Sequence, residues 1–216
     1  TSDDPHIRFY AGCPLKVSNG SKVGTLCIID REPRDFNKDD MALLRDLARM
    51  AEQELAALQL ATMDELTMLS NRRGFEILSR HVLGLCRRSN KPASLLFFDM
   101  DHFKKINDRD GHAEGDRALS NFAQLLKQTF RESDVLGRLG GDEFAVLLTN
   151  ASKDKVDETL LRLQQTVDEH NHESQRGYEI IYSVGAVQFD KAHHPDIAEL
   201  MAEADAQMYV QKKGKA

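Results

Sequence analysis

A surplus of positive charge is missing from this chain of 216 residues: Lys and Arg total 29 against 35 Asp and Glu, a formal net charge of −6. So acidic a balance argues against a broad surface for nucleic-acid polymers or anionic membranes, because both are held through excess Lys and Arg, and leaves room for a local basic pocket. Long apolar runs are missing too. None approaches the roughly 18 residues that a membrane span needs, and the N-terminus lacks the basic-then-apolar order of a signal peptide. Cysteine is scarce: Cys13, Cys27 and Cys86 are odd in number and scattered, without metal-site spacing, and read as free thiols of a reducing compartment. There are no internal repeats or low-complexity tracts. What is present is 41% hydrophobic and 30% charged residues, enough to fill a core and unlike a disordered chain. The expectation is a cytoplasmic globular protein, one large domain or one domain and a fragment.

Two β-prone runs, Ile7 to Leu15 and Lys22 to Asp30, flank Ser18-Asn19-Gly20-Ser21, and Asn-Gly between such runs predicts a hairpin. Two strands cannot close a core alone, so residues 1–36 read as the C-terminal fragment of a larger domain. The phrases FYAGCPL and GTLCIID, followed by a helix, resemble the end of a GAF sensor domain, over a stretch too short to hold a ligand pocket. A helix is predicted from near Asn37, an N-cap with Asp39 and Asp40 in the first turn. Leu44, Ala48, Ala51, Leu55, Leu58 and Thr62 recur at alternating spacings of four and three. That is the seam of a two-stranded coiled coil; the plain alternative is an amphipathic helix packed on its own domain. Residues 37–63 are read as this linker helix.

Residues 64–216 read as one compact domain. Helices are predicted over Arg73–Arg88, briefly after Asp101, over Ala113–Phe130 and Lys153–His170, and around Ile197–Met208. Strands are predicted at Ser94–Phe98, Val135–Arg138, Phe144–Leu148 and Tyr178–Val187. Hairpins mixed with helical crossovers give an α+β sheet covered by helices, not a purely parallel one.

Asp99 and Asp101 end the first of these strands, two apart, and face one way only if the strand runs on through them. Paired carboxylates at a strand edge repel unless a cation neutralises them, and oxygen ligands suit Mg²⁺. The bland alternative makes one Asp a helix cap and leaves the other solvated. Gly140-Gly141-Asp142-Glu143 supplies a second acidic pair, on a hairpin turn whose glycines permit positive φ and close approach. Acids from two separate β-elements can converge on a metal ion and a nucleotide phosphate.

Arg138-Leu-Gly-Gly-Asp-Glu-Phe144 resembles the signature of the GGDEF diguanylate cyclases. Further matches stand in order: Asp64-Glu-Leu-Thr67 with Asn71-Arg72-Arg73, and Phe98-Asp-Met-Asp-His-Phe-Lys-Lys-Ile-Asn-Asp108. Gly111-His112, Gly115-Asp116, Ala204-Asp205 and Met208-Tyr209 complete them. The resemblance implies a polymerase-palm-like (ferredoxin-like) sheet and condensation of two GTP into cyclic di-GMP with release of two pyrophosphates. It implies a homodimer, each subunit holding one GTP. It implies Mg²⁺, with Mn²⁺ as the alternative, on Asp99, Asp142, Glu143 and the Met100 carbonyl, with Asp142 and Glu143 as the catalytic acids. Lys104 and the N-terminus of the short helix would meet the phosphates, while Asn107 and Asp116 match the guanine-reading pair. His112 falls on a further substrate contact, or is a structural histidine beside a helix. Lys212 falls on a phosphate-binding lysine, and Lys215 on a second cation only with a one-residue deletion; the alternative is a frayed basic tail.

Arg131-Glu-Ser-Asp134 lies where the family carries an inhibitory product site, an Arg and an Asp suited to the phosphate and guanine of cyclic di-GMP. An ordinary surface ion pair is the alternative. Two other function classes stand beside the cyclase: a catalytically silent GGDEF module that binds GTP or cyclic di-GMP and signals by protein contacts, and a sugar-nucleotide transferase built on the D-x-D. The first usually loses a signature acid or glycine, all retained here, and the second leaves the Gly-Gly turn unexplained.

Overall fold

A computed structural model describes residues 6–17, 20–174 and 176–215. It divides between Ala61 and Thr62 into two compact units.

In the first unit β1 (Phe9–Lys16) pairs antiparallel with β2 (Lys22–Asp30), Phe9 opposite Asp30 and Leu15 opposite Gly24. Of the predicted turn, Ser18 and Asn19 lie outside the described residues; Gly20 N–H donates to the Val17 carbonyl. Helix α1 (Lys38–Thr62) opens on a reciprocal cap. Asn37 Oδ1 accepts from the amides of Asp39 and Asp40, and the Asp40 carboxylate accepts from the Asn37 amide. Along the predicted seam, Leu44 and Ala48 are already buried in the single chain, whereas Ala51 and Leu55 are half-buried and Leu58 is exposed. A second helix could therefore reach the later positions of the seam but not its start. The hairpin also touches the helix, the Lys16 amide donating to the Glu52 carboxylate at 2.7 Å.

The second unit holds α2 (Arg72–Ser89), β3 (Ala93–Met100), α3 (Phe103–Asp110), α4 (His112–Thr129), β4 (Val135–Gly140) and β5 (Glu143–Thr149), followed by α5 (Lys153–Ser174), β6 (Tyr182–Gln188) and α6 (Ile197–Lys215). The strands form one antiparallel sheet in the order β4-β5-β3-β6, an α+β architecture as expected. The central strand β3 is apolar on both faces because both are covered. Leu96, Phe98 and Met100 pack in one cluster with Phe122 and Leu126 of α4 and Leu163 of α5. Leu95 and Phe97 point the other way, toward Phe75 of α2 and Leu200, Ala204 and Met208 of α6. Phe98 and Phe144 meet Phe122 edge to face at centroid separations of 6.0 and 5.1 Å. Each such buried ring contributes about 1.5–3 kcal/mol by burial.

One strand is shorter than predicted. β6 begins at Tyr182, not Tyr178, because the backbone just before it is satisfied elsewhere. The Asn171 amide of α5 accepts from the Ile180 N–H and donates to the Ile180 carbonyl, and the Ile181 carbonyl accepts from Asp101. An alternating apolar pattern cannot reveal that a distant side chain will take those bonds.

Candidate active site

The sheet register puts acid against acid. Asp99 on β3 lies directly opposite Glu143 on β5, on the face covered by α2 and α6, and such partners stand about 5 Å apart at Cβ. The Met100 amide donates to the Asp142 carbonyl at 3.1 Å, stitching the end of β3 to the turn. Gly140 and Gly141, with φ of +152° and +51°, make a turn that ordinary side chains resist.

Arg138 holds that turn from below. Its Nε and Nη2 donate to the Gly141 carbonyl at 3.0 and 2.8 Å, and its Nη1 reaches both Asp64 oxygens at 3.3 and 3.1 Å. Asp64 also accepts from the Thr67 amide and hydroxyl. Burial alone would raise the Asp64 carboxyl, but the bonds from Thr67 and Arg138 outweigh it and hold it below the usual range. A depressed folded-state pKa contributes stability above the unfolded value that is lost as pH falls through the folded one. Asp64→Asn should therefore lower stability by about 1–3 kcal/mol at neutral pH, with the gap closing as the pH falls through and below the ordinary carboxylate range. Thermal melts of both proteins across pH check this; a gap that persists in acid would mean packing, not charge, is responsible.

The acids outnumber the cations. Lys212, from the last turns of α6, donates to Asp99 at 2.5 Å, and Arg72 of α2 pairs with Glu143 at 3.3 Å. Burial would lower the Lys212 pKa, but Asp99, Asp142 and Asp101 together raise it, keeping the ammonium charged. Asp99 is nevertheless pushed up, first by burial and then by the charges of Asp142 and Asp101, against one lysine. Glu143 is pushed up by burial and by Asp205, Asp142 and Asp99, against Arg72. This unrelieved negative charge, on oxygen donors only, fits a hard divalent cation. Among the described residues no three His, Cys, Asp or Glu side chains converge as a closed metal site, so a cation here would draw the rest of its shell from backbone, nucleotide and water.

Asp101 belongs elsewhere. It is buried, accepts from the Ser183 hydroxyl at 2.8 and 3.0 Å and from Lys215 at 3.2 Å, and caps no helix. His102 is the N-cap of α3, with φ +61° and no side-chain bond to the first turn, which corrects the helix-cap alternative. Lys104 is exposed on that open first turn. The frayed-tail alternative also fails: α6 is helical through Lys215, which sits one turn beyond Lys212 and also donates to the Tyr182 carbonyl at 2.6 Å.

On α3 and α4, Asn107 is half-buried while His112 and Asp116 are exposed. A Cβ on Gly115 would stand 1.9 Å from Asn107 Oδ1, so only glycine lets the Asn107 amide lie against the turn carrying Asp116. A cavity of about 640 Å³ opens beside His102, Lys105 and Arg109, and Asn107, His112 and Asp116 do not line it.

Arg131 and Asp134 do not form the surface ion pair of the alternative reading; among the described residues none joins them. The Asp134 carboxylate is buried and accepts from the amides of Arg131 and Thr149, both at 3.0 Å, leaving the Arg131 side chain exposed on a pinned loop. Arg72, Ser183 and Asp205 are site neighbours for which no role is predicted from sequence. Arg72 and Asp205 stand inside quoted motifs; Ser183 carries no local signal.

The family described as diguanylate cyclase, GGDEF domain matches residues 61–216, and the GAF domain family matches residues 1–55. Over 95% of its length the chain is 32% identical to the probable diguanylate cyclase DgcE of Escherichia coli K12, covering 17% of that protein. Over 70% of its length it is 36% identical to the diguanylate cyclase DosC of the same strain, covering 33% of it. The chain thus spans a minor part of these relatives. Among solved structures it resembles the coiled coil and GGDEF domain of DgcB from Caulobacter crescentus in complex with c-di-GMP: TM-score 0.71, 26% identity, 82% of this chain and 92% of that one. It also resembles the GGDEF domain of PA1120 from Pseudomonas aeruginosa: TM-score 0.65, 34% identity, 70% of this chain and 89% of that one.

Proposed function

The chain belongs to the GGDEF family of diguanylate cyclase domains, and from that premise we propose that residues 64–216 condense two GTP into cyclic di-GMP and two pyrophosphates. What carries the reading is the meeting of Asp99 with Asp142 and Glu143 at the end of β3, negative in excess of its lysine, beside an open helix N-terminus. Asp99, Asp142, Glu143 and the Met100 carbonyl would be the donors for Mg²⁺, or Mn²⁺ in its place, the three acids closing together only as the ion binds. When bound, such an ion neutralises triphosphate charge and lowers the pKa of the attacking hydroxyl.

The remaining work falls to this chain's own residues. The first-turn amides of α3 and the Lys104 ammonium receive the β- and γ-phosphates. Asp116 accepts from guanine N1–H and N2–H, which adenine does not offer, and Asn107 completes the base contact. His112, Lys212 and Lys215 are further substrate contacts on this reading. The two lysines are engaged with Asp99 and Asp101, so on this reading Lys212 must exchange a carboxylate for a phosphate.

Each 3′-hydroxyl attacks the α-phosphorus held on a second copy, pyrophosphate leaves, and in-line positioning supplies much of the acceleration. Activity per chain should therefore rise with protein concentration until dimers dominate, and Leu55→Glu with Leu58→Glu should move that rise to higher concentration. Initial rates over a dilution series test it; a flat profile would contradict the two-half-site mechanism. The three unpaired cysteines fit a cytoplasmic setting, and no helix among the described residues is long and apolar enough to cross a membrane. The domain proposal keeps residues 1–36 as the GAF-like fragment and 37–63 as the linker helix.

Arg131 and Asp134 are the proposed product site. Arg131→Ala should weaken inhibition by added cyclic di-GMP while leaving the initial rate at low product similar. Asp134→Ala should also loosen the loop, since its carboxylate holds two backbone amides. Unchanged inhibition curves would remove the site. The decisive experiment for the function is incubation with GTP and Mg²⁺ and chromatographic detection of cyclic di-GMP; GTP bound without product would instead support the silent module.

A further inference from the structure

The loop of Arg176, Gly177 and Tyr178 has no part in the reading above, yet both helices that carry Asn107 and Asp116 grip it. From α4, one Glu114 oxygen accepts from Arg176 Nη1 at 2.7 Å and Tyr178 Oη at 3.1 Å, and the other accepts from Arg117 at 2.9 Å. From α3, Arg109 Nη2 donates to the Gly177 carbonyl at 2.8 Å while its Nε holds Asp110. The Glu114 side chain is only 18% exposed, against 40% for Arg176 and 57% for Arg109, so the carboxylate is the centre of the cluster and the cations its rim. The bonds from Arg176 and Tyr178 hold the Glu114 carboxyl below its usual range. The Tyr178 phenol, partly buried and bonded to that carboxylate, is pushed up to about 12.

This arrangement matters because α3 and α4 are joined by Gly111 alone, at φ +87°. With so short a joint, the angle between the helices is set by whatever bridges them. Phe103 and Ile106 of α3 pack into the core that Ala118 and Leu119 of α4 share, and beyond that core the polar bridges are the Asn107 contact at Gly115 on one side and the loop grip on the other. Exposed ion pairs contribute little to overall stability, but a recognition pair displaced by about 1 Å can lose as much as 10²-fold.

We propose that Glu114, acting through Arg176 and Tyr178, is a positioning residue that clamps the α3–α4 corner and sets the spacing of Asn107 and Asp116 for the nucleotide base. The proposal rests on the assignment of that pair to guanine. Arg176→Ala and Glu114→Ala should raise KM for GTP about tenfold with kcat kept within about twofold. They should also lower the preference for GTP over ITP, which lacks the 2-amino group. Tyr178→Phe, which removes one hydroxyl, should act in the same direction more weakly and keeps the test open if Glu114→Ala fails to fold. Glu114→Gln, which keeps an acceptor for Tyr178, should recover part of the loss. The measurement is steady-state kinetics with both nucleotides, beside thermal melts, with Asp116→Ala run in parallel. Unchanged KM and unchanged GTP-to-ITP preference in Arg176→Ala and Tyr178→Phe would overturn the clamp, as would a fall in kcat that tracks the melting temperature. If Asp116→Ala itself leaves the preference intact, the base assignment fails and the clamp falls with it. If Asp116→Ala abolishes the preference and Arg176→Ala does not, only the clamp is wrong.

Discussion

Asp142→Asn and Asp99→Asn are each expected to cut cyclic di-GMP formation by about 10²–10³-fold or more, the loss seen when one group that stabilises developing charge is removed. The fold should not suffer. Asp99 is half-buried near Asp142 and Asp101, and its pKa is raised despite Lys212. A raised carboxyl pKa means that ionisation opposes folding. The penalty is absent below the ordinary value near 3.9, grows as pH rises toward the folded value, and is complete above it. Asp99→Asn should thus melt at or above the parent temperature at neutral pH without added metal, and the advantage should vanish in acid. Chromatographic rates and melts at two pH values test both halves. Activity close to the parent would remove Asp99 and Asp142 from the metal site, and a large destabilisation would make them structural.

The second large effect lies on the sheet. A Cβ at Gly185 of β6 would stand 1.9 Å from the Ala204 carbonyl oxygen and 2.5 Å from the Met208 amide nitrogen, both backbone atoms of α6. Backbone cannot swing aside as a side chain does, so Gly185→Val must lift the helix off the sheet. That helix buries Ile197, Leu200, Met201, Ala204 and Met208 and carries Lys212 to Asp99. Overpacking of this kind costs about 3 kcal/mol or more, which for a chain this long is a fall of roughly 6–12 °C in melting temperature. Catalysis should fail with the fold, because Lys212 and the Asp99 environment move together. A melt within 2 °C of the parent, about 0.5–1 kcal/mol, would show that β6 and α6 can part at little cost.

Gly185 also shows where sequence reading stops. A glycine amid β-prone residues signals close approach in general, but nothing local says that the approaching group is a helix backbone some twenty residues later. The same holds for Asp101. Its position in Asp99-Met-Asp101 invites pairing with Asp99, and only the fold brings Ser183 and Lys215 to it from two later elements. The start of β6 differs from the predicted one for a like reason, the Asn171 side chain taking the backbone bonds of Ile180.

By itself the sequence determined the elements and the chemical groups. Apolar periodicity specified the helices and strands, because burial of one face depends on spacing along the chain. The acids of β3 and of the Gly-Gly turn, and the Asn37 cap, were legible because each is a short-range pattern whose physics is local. Tertiary structure alone decided which groups meet. The antiparallel register set Asp99 against Glu143, the docking of α6 gave Lys212 to Asp99 and Lys215 to Asp101, and the loop at Gly177 tied α3 to α4. Those pairings join residues tens of positions apart. Their energies depend on burial and on the sum of neighbouring charges, quantities that do not exist until the chain has folded.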